Sequence, residues 1–357
     1  MSVADTLDPV RSEQFAETLL GHLNGAGLAL MTSIGHRTGL FDALAAGGAQ
    51  TSDELAERAD KAPRYVREWL GALVTGGIVS YDEPTDRYTL PAEHAAWLTR
   101  AAAPQNMAVV MQFISVLGAV EDKIVGCFES GGGVPYEAFD RFHAVMAEES
   151  SQTILAALED AILPLVPGLI DKLNAGIDVL DVGCGSGRAM VKLAALFPNS
   201  RFVGFDISEE AIGRGRAEAE AKGLSNVRLE IRDVTSLGVD AEYDLVTAFD
   251  AIHDQARPDL VLAGIRKALR PDGTFLMQDI RASSHLEKNV GHPLAPFFYT
   301  ISTMHCMTVS LAADGMGLGT CWGEETALEM LRTAGFGAVD VETLEHDIQN
   351  NYYICRP

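Results

Sequence analysis

The stretch Val179-Leu180-Asp181-Val182-Gly183-Cys184-Gly185-Ser186-Gly187 constrains this chain more than any other. An apolar run of strand length enters a turn with glycine at alternate positions, and a second such run, Arg201-Phe202-Val203-Gly204-Phe205, ends in Asp206. A turn without side chains lets backbone N–H groups approach a ligand, and a carboxylate ending the next strand suits ribose hydroxyls. The spacing Gly-x-Gly-x-Gly is not the dinucleotide Gly-x-Gly-x-x-Gly, and the chain has no Gly-Lys-Ser/Thr for a triphosphate. Asp181 ahead of the turn would repel a pyrophosphate but suits an ammonium group. The expected ligand therefore carries both adenosine and a cation.

With 357 residues, of which 47% are hydrophobic, the chain is long enough for two domains. A formal charge of -23 argues against nucleic acid or anionic lipid as a partner, because binding polyanions depends on Lys and Arg releasing counterions. A small-molecule partner is expected instead. Met1-Ser2-Val3-Ala4-Asp5 has neither a basic region nor an apolar core, which reads as a cytoplasmic protein without a secretory signal. The uncharged runs Ala101 to Val120 and Asn289 to Ala313 contain Pro104, Gln105 and Asn106, and His292, Pro293, Pro296 and His305, so they read as buried walls and not as membrane spans. Five scattered cysteines without any Cys-x-x-Cys suit reduced thiols.

Three segments are expected: a helical and winged-helix dimerisation domain over 1–105, a helical linker and pocket segment over 106–167, and an α/β domain over 168–357. Between Arg11 and Leu44, Phe15, Leu19, Leu20, Leu23, Leu28, Met31 and Ile34 recur at helical spacing ahead of any core of their own, which points to a second subunit. Thr51-Ser52-Asp53-Glu54 has capping-box spacing, Pro63 opens a helix that stops at Gly76-Gly77, and two short strands follow, Ile78 to Tyr81 and Arg87 to Leu90. This winged pattern invites a DNA-binding reading. Yet Arg58, Lys61, Arg64 and Arg67 are outnumbered there by Asp53, Glu54, Glu57, Asp60 and Glu68, whereas a groove-reading helix needs a basic face. From Asp178 onward strands and helices alternate, which implies a parallel sheet, and the last two strands, Val339 to Thr343 and Tyr352 to Cys355, lack a helix between them and should close it as an antiparallel hairpin.

Asp181-Val182-Gly183-Cys184-Gly185-Ser186-Gly187 followed by Asp206 resembles the first and second motifs of class I S-adenosylmethionine-dependent methyltransferases. Ile231-Arg232-Asp233-Val234, Phe249-Asp250-Ala251-Ile252-His253-Asp254 and Arg270-Pro271-Asp272-Gly273-Thr274 are similar to that family's later motifs, in order. The layout with an N-terminal winged helix is similar to small-molecule O-methyltransferases and to actinobacterial winged-helix methyltransferases labelled as transcriptional regulators. The resemblance implies a Rossmann-like seven-stranded sheet and S-adenosylmethionine as methyl donor. It also implies that Asp206, with Ile207 beside it, binds the ribose; Asp233, flanked by Arg232 and Val234, binds the adenine amine; and Asp181 and Arg188 reach the methionyl ammonium and carboxylate. Phe249, Asp250 and Ala251 would complete the cofactor site.

Methyl transfer is an in-line displacement that demands positioning and sometimes removal of a proton. His253 is the candidate base, since it follows the fourth strand at the ligand-binding end of the sheet, and either Asp254 or Asp279 could orient its ring. Asp250 and Asp279 could alternatively hold Mg²⁺, but Ile280 after Asp279 offers no oxygen ligand, so no metal is expected. Phe113, Tyr136, Phe139, His143, Phe298, Tyr299, His305 and Trp322 are candidate walls of a pocket for a partly apolar acceptor. The expected protein is a homodimeric methyltransferase acting on a hydroxyl or amine, the alternative being a regulator that binds the cofactor without catalysis.

Overall fold

The computed structural model describes residues 7–357, which form two compact units, the first ending at Ser115 and the second running from Val116 to Pro357. In the first, helix α1 (Pro9–Thr38) starts where the Asp8 carboxylate accepts hydrogen bonds from the N–H groups of Val10 and Arg11. It stops at Gly39, whose φ of 74° ends the helix, and α2 (Leu40–Gly47) follows, so the expected continuous run to Leu44 is two helices. The capping box expected at Thr51 forms, opening α3 (Ser52–Ala59). Helix α4 (Pro63–Thr75) leads into the antiparallel wing of β1 (Ser80–Asp82) and β2 (Arg87–Thr89).

Phe41, Leu44, Leu55, Trp69, Leu70 and Leu73 make the core of this unit, and the C-terminal half of α1 joins it through Leu28 and Met31. The Trp69 indole N–H donates to the Met31 carbonyl at 2.8 Å, tying α4 to α1. The N-terminal half of α1 differs. Phe15, Leu19, Leu20 and Leu23 are 62%, 50%, 60% and 69% exposed. Three basic residues of the winged region are ion-paired with acids: Arg64 with Glu68, Arg67 with Asp53 and Arg87 with Glu54.

The second unit is a sheet of seven strands flanked by helices. The strands are β3 (Asp178–Val182), β4 (Arg201–Asp206), β5 (Val227–Ile231), β6 (Tyr243–Phe249), β7 (Leu269–Ile280), β8 (Ala338–Leu344) and β9 (Asp347–Arg356). Their spatial order is β5-β4-β3-β6-β7-β9-β8, parallel as far as β7, with the expected antiparallel hairpin inserting β9 beside β7. Successive residues face opposite layers. Val179, Leu245, Leu276 and Ile354 pack under the helix Arg188–Leu196, and Leu180, Val246, Met277 and Cys355 belong to the other layer, with Val261, Ile265 and Leu331 from the helices Pro258–Ala268 and Gly323–Thr333. Burial of both faces accounts for the near-continuous apolar strands.

The fifth strand of this sheet, β7, begins at Leu269, ahead of the expected Thr274; Arg270 to Gly273 form an irregularity where the β6–β7 register shifts. Arg270 pins that irregularity by pairing with Asp178 and Asp244. All five cysteines are unpaired thiols, and among the described residues no helix is long and apolar enough to cross a membrane.

The helix Glu209–Ala221 after β4 packs closely on the glycine turn because Gly215 lacks a side chain. A Cβ there would lie 2.1 Å from the Ser186 carbonyl oxygen, whereas one at Gly213, on the same helix, meets nothing within 4 Å. Gly215→Ala should therefore destabilise the protein by about 1–3 kcal/mol. Gly213→Ala should be neutral or stabilising by up to about 1 kcal/mol through helix propensity. Thermal denaturation of both variants tests the contrast, and equal midpoints would contradict it.

Candidate active site

The glycine turn lies between β3 and the helix Arg188–Leu196 and is held mainly by its own backbone. The Gly183 and Cys184 N–H groups both donate to the Phe205 carbonyl, at 2.9 and 3.0 Å, and the Gly187 N–H donates to the Cys184 carbonyl at 2.8 Å. Gly183, Gly185 and Gly187 all have positive φ, of 70°, 55° and 63°. A Cβ on Gly183 would come within 2.6 Å of the Ala251 methyl, and one on Gly187 within 2.4 Å of Leu229, so two of these glycines are also required by packing. Asp206 locks the assembly: one carboxylate oxygen accepts from the Gly185 N–H at 2.7 Å and the other from the Ser208 N–H at 2.8 Å. Four of the turn's N–H groups, those of Gly183, Cys184, Gly185 and Gly187, are thus engaged within the fold.

Asp181 is buried at 3% exposure and accepts from the Thr247 hydroxyl at 2.6 Å. Burial pushes its carboxyl up to about 7 against the lowering effect of that hydrogen bond. Arg188 donates to the Ala147 carbonyl at 2.8 Å and to the Ser151 hydroxyl, which ties it to the helix Phe142–Ser150. Asp233 is exposed, and one of its oxygens accepts both the N–H and the hydroxyl of Thr235. Arg232 lies over the Phe205 ring at 4.2 Å, Ile207 is 76% exposed, and Val234 is buried.

His253 and Asp279 meet at the end of the sheet. The imidazole Nδ1 lies 2.8 Å from Asp279 Oδ1, which also accepts from the Trp322 indole at 3.0 Å and from the Ile280 N–H at 2.8 Å. Of the two carboxylates considered as orienting partners, Asp279 is the one bonded; the Asp254 carboxylate instead faces the Gln255 amide at 3.5 Å. Burial works against a charge on His253, but Asp279 and the Cys306 sulfur beside it hold its pKa well above the ordinary histidine range. Burial likewise pushes Asp250 up to about 6 and Asp254 up to about 7, and Glu149 up to about 8 with Asp250 and Asp347 nearby.

Asp250 has a left-handed φ of 53°, and its Oδ1, 3.7 Å from His253 Nδ1, is buried without a hydrogen-bond partner, as is Asp279 Oδ2. His253, Asp250 and Asp279 thus bring one ligand atom each within 4.8 Å of one another, the donor set of a small metal site as well as of a charge-oriented base. Glu149 and Thr247 were not among the expected site residues. Thr247 is the one hydroxyl in an otherwise apolar strand core, which is a readable signal, whereas Glu149 sits on a helix of mixed polarity and offers none.

The predicted pocket residues divide. Tyr136, Phe139 and His143 come together with Phe142 and His305: Tyr136 stacks on His143 at 4.7 Å and meets His305 edge-on at 5.0 Å. Trp322 is a buried hydrogen-bond donor to Asp279, Phe298 is 2% exposed beside His292, and the Tyr299 hydroxyl accepts from the Asn289 amide at 3.0 Å. Phe113 is buried and belongs to the first compact unit.

A mostly parallel seven-stranded sheet closed by an antiparallel hairpin, with an acid-locked glycine turn at its centre, defines a Rossmann-like α/β protein of the methyltransferase type. Residues 173–333 match the family described as a methyltransferase domain, and residues 26–100 match an Rv2258c-like winged HTH domain, so the chain carries both. It is 35% identical over 116 residues to nocamycin O-methyltransferase of Saccharothrix syringae, covering 31% of this chain and 41% of that one. It is 32% identical over 106 residues to a fatty-acid O-methyltransferase of Mycolicibacterium smegmatis, covering 30% and 38%. The chain thus spans about 40% of the length of the curated relatives it matches. Human N-acetylserotonin methyltransferase, solved with S-adenosylmethionine, shares the fold over 100% of this chain and 99% of its own, with a TM-score of 0.69 and 15% identity.

Asp181 makes pH a probe of the site. Its carboxyl titrates near 4 in the unfolded chain and near 7 in the fold, so the folded state keeps a proton that the unfolded state loses. This group's contribution to stability therefore falls as pH rises from about 4 to about 7. Asp181→Asn keeps an acceptor for Thr247 and removes the titration. Relative to the parent, it should gain roughly 2–3 kcal/mol between pH 5 and pH 8. Urea denaturation of the ligand-free protein at both pH values checks this, and a pH-independent difference would rule it out.

Proposed function

We propose that this protein transfers a methyl group from S-adenosylmethionine to a hydroxyl or amine of a small, partly apolar metabolite, oxygen being the favoured acceptor, with His253 as general base. The observation that carries the reading is the His253–Asp279 pair, at 2.8 Å, at the end of a sheet whose centre holds the glycine turn locked by Asp206. The residues fit a cationic ligand. Asp181, Asp250, Asp254 and Glu149 are carboxyls whose ionisation burial opposes, and a nearby positive charge would favour it.

S-adenosylmethionine, when bound, supplies an electrophilic methyl on a sulfonium. Asp206 retains lone pairs for ribose hydroxyls beyond those engaged by Gly185 and Ser208, and Asp233 has a second oxygen beyond the one meeting Thr235. Asp279 holds the His253 ring through Nδ1 and would stabilise the imidazolium formed when Nε2 takes the acceptor's proton, the acceptor oxygen bonding the methyl as the methyl–sulfur bond breaks and S-adenosylhomocysteine leaves. The base acts only in its neutral form, so the rate rises with pH through the raised His253 pKa. The raised value also makes His253 a stronger proton acceptor than free imidazole.

His253→Gln should lower kcat by about 10²–10⁴-fold and remove the ascending limb of the pH–rate profile, while S-adenosylhomocysteine still binds. Asp206→Ala should weaken that binding by about tenfold or more, as calorimetry would show. Absence of any S-adenosylmethionine turnover across a panel of hydroxylated acceptors, despite cofactor binding, would favour a non-catalytic sensor.

We also propose that the chain is a homodimer joined through the N-terminal half of α1. Phe15, Leu19 and Leu23 are four residues apart, share one helix face and stay exposed, and a second copy of the chain is the occupant that this helix suits. Leu19→Glu with Leu23→Glu should give a monomer by light scattering at micromolar concentration. A parent protein that is itself monomeric would refute the assignment.

A further inference from the structure

Inside the aromatic cluster lies a group that the proposed chemistry does not use. His305 is 1% exposed, and neither of its ring nitrogens has a hydrogen-bond partner. Phe142 stacks on its face at 3.4 Å with an interplanar angle of 6°, while Phe139 at 4.7 Å and Tyr136 at 5.0 Å meet it edge-on. A phenylalanine or leucine would fill such a box without burying orphaned polar atoms, each of which carries a desolvation penalty. Burial keeps the imidazole pKa well below its ordinary range, reinforced by the nearby charges of His253 and His143. The neutral ring presents one donor and one acceptor.

The surroundings bring this ring close to the candidate base. His305 belongs to a wide π-type helical turn, Ser302–Cys306, a local irregularity often found where side chains must be placed for function. The next residue, Cys306, is the one whose sulfur meets His253, so the orphaned imidazole and the candidate base are approached from adjacent positions of one turn. Tyr136, one wall of the box, feels the charges of Asp254 and Asp206, so the box lies within electrostatic reach of the loop after β6 and of the end of β4.

We infer that His305 is a specificity-determining residue that reads an uncharged hydroxyl or carbonyl on the acceptor, distinct from the group that is methylated. This rests on the methyltransferase reading above. An ionised group in that position would exchange its hydration for aromatic walls and a neutral imidazole, so the box selects against it. The acceptor accordingly carries two polar groups on an apolar frame, one reaching His253 and the other His305.

The test uses the full chain saturated with S-adenosylhomocysteine, with 2-naphthol and naphthalene-2,6-diol as matched probes that differ by one hydroxyl. Calorimetry should find the diol about tenfold tighter on the parent protein. His305→Phe should remove that preference and bring the diol to the 2-naphthol affinity, while His253→Gln weakens both probes and keeps a preference for the diol. Unchanged S-adenosylhomocysteine affinity in each variant reports an intact fold, and the ¹⁵N resonances of the His305 ring should move on adding the diol. Equal affinity of the two probes for the parent, failure of both to bind, or a preference surviving in His305→Phe would each overturn the inference and leave the methyltransferase reading standing. Failure of the parent to bind S-adenosylhomocysteine would overturn both.

Discussion

The Asp206 carboxylate is the contact on which the rest of the site depends. It ends β4, yet its two oxygens reach the N–H groups of Gly185 in the neighbouring turn and of Ser208 at the start of the next helix. Three segments are thereby joined through one side chain, and the Phe205 carbonyl adds two further bonds to the turn. The turn can close this tightly only because a Cβ on Gly183 or Gly187 would collide with Ala251 or Leu229. The arrangement positions Asp181 beneath the turn and the helix Arg188–Leu196 beyond it, and that helix in turn anchors the helix Phe142–Ser150 through Arg188.

A second constraint is the concentration of buried acid around this centre. Asp181, which is buried, and the half-buried Asp250, Asp254 and Glu149 all resist ionisation because the surrounding protein desolvates them, and each also lies near another carboxylate. Such a cluster costs stability in the ligand-free protein and favours a positively charged ligand, an exchange of stability for binding common at functional sites. Asp279 is treated differently. Three donors converge on one of its oxygens, which is what lets a fully buried carboxylate hold the His253 ring in one orientation.

The chain's local patterns carried most of the α/β unit. The strand Tyr243–Phe249, the helices after the glycine turn and after Asp206, and the closing hairpin follow from apolar periodicity and turn chemistry, which act over a few residues. The Thr51–Glu54 capping box was legible for the same reason. The start of β7 was not, because Arg270 to Gly273 reads as a turn and is held in the strand by ion pairs to Asp178 and Asp244, distant in sequence.

By itself the sequence determined the order of elements, the glycine turn with its paired acid, and the presence of His253 just past the carboxyl end of β6, since each is a matter of short-range spacing. Only the tertiary structure decided that Asp279 and not Asp254 is hydrogen-bonded to His253, that the Trp322 indole donates to Asp279, and that His305 lies without a hydrogen-bond partner among Tyr136, Phe139 and Phe142. Those outcomes depend on residues brought together across large sequence separations by sheet order and helix packing. Side-chain distance and burial set hydrogen bonds and pKa values, and neither can be read from a list of neighbours along the chain.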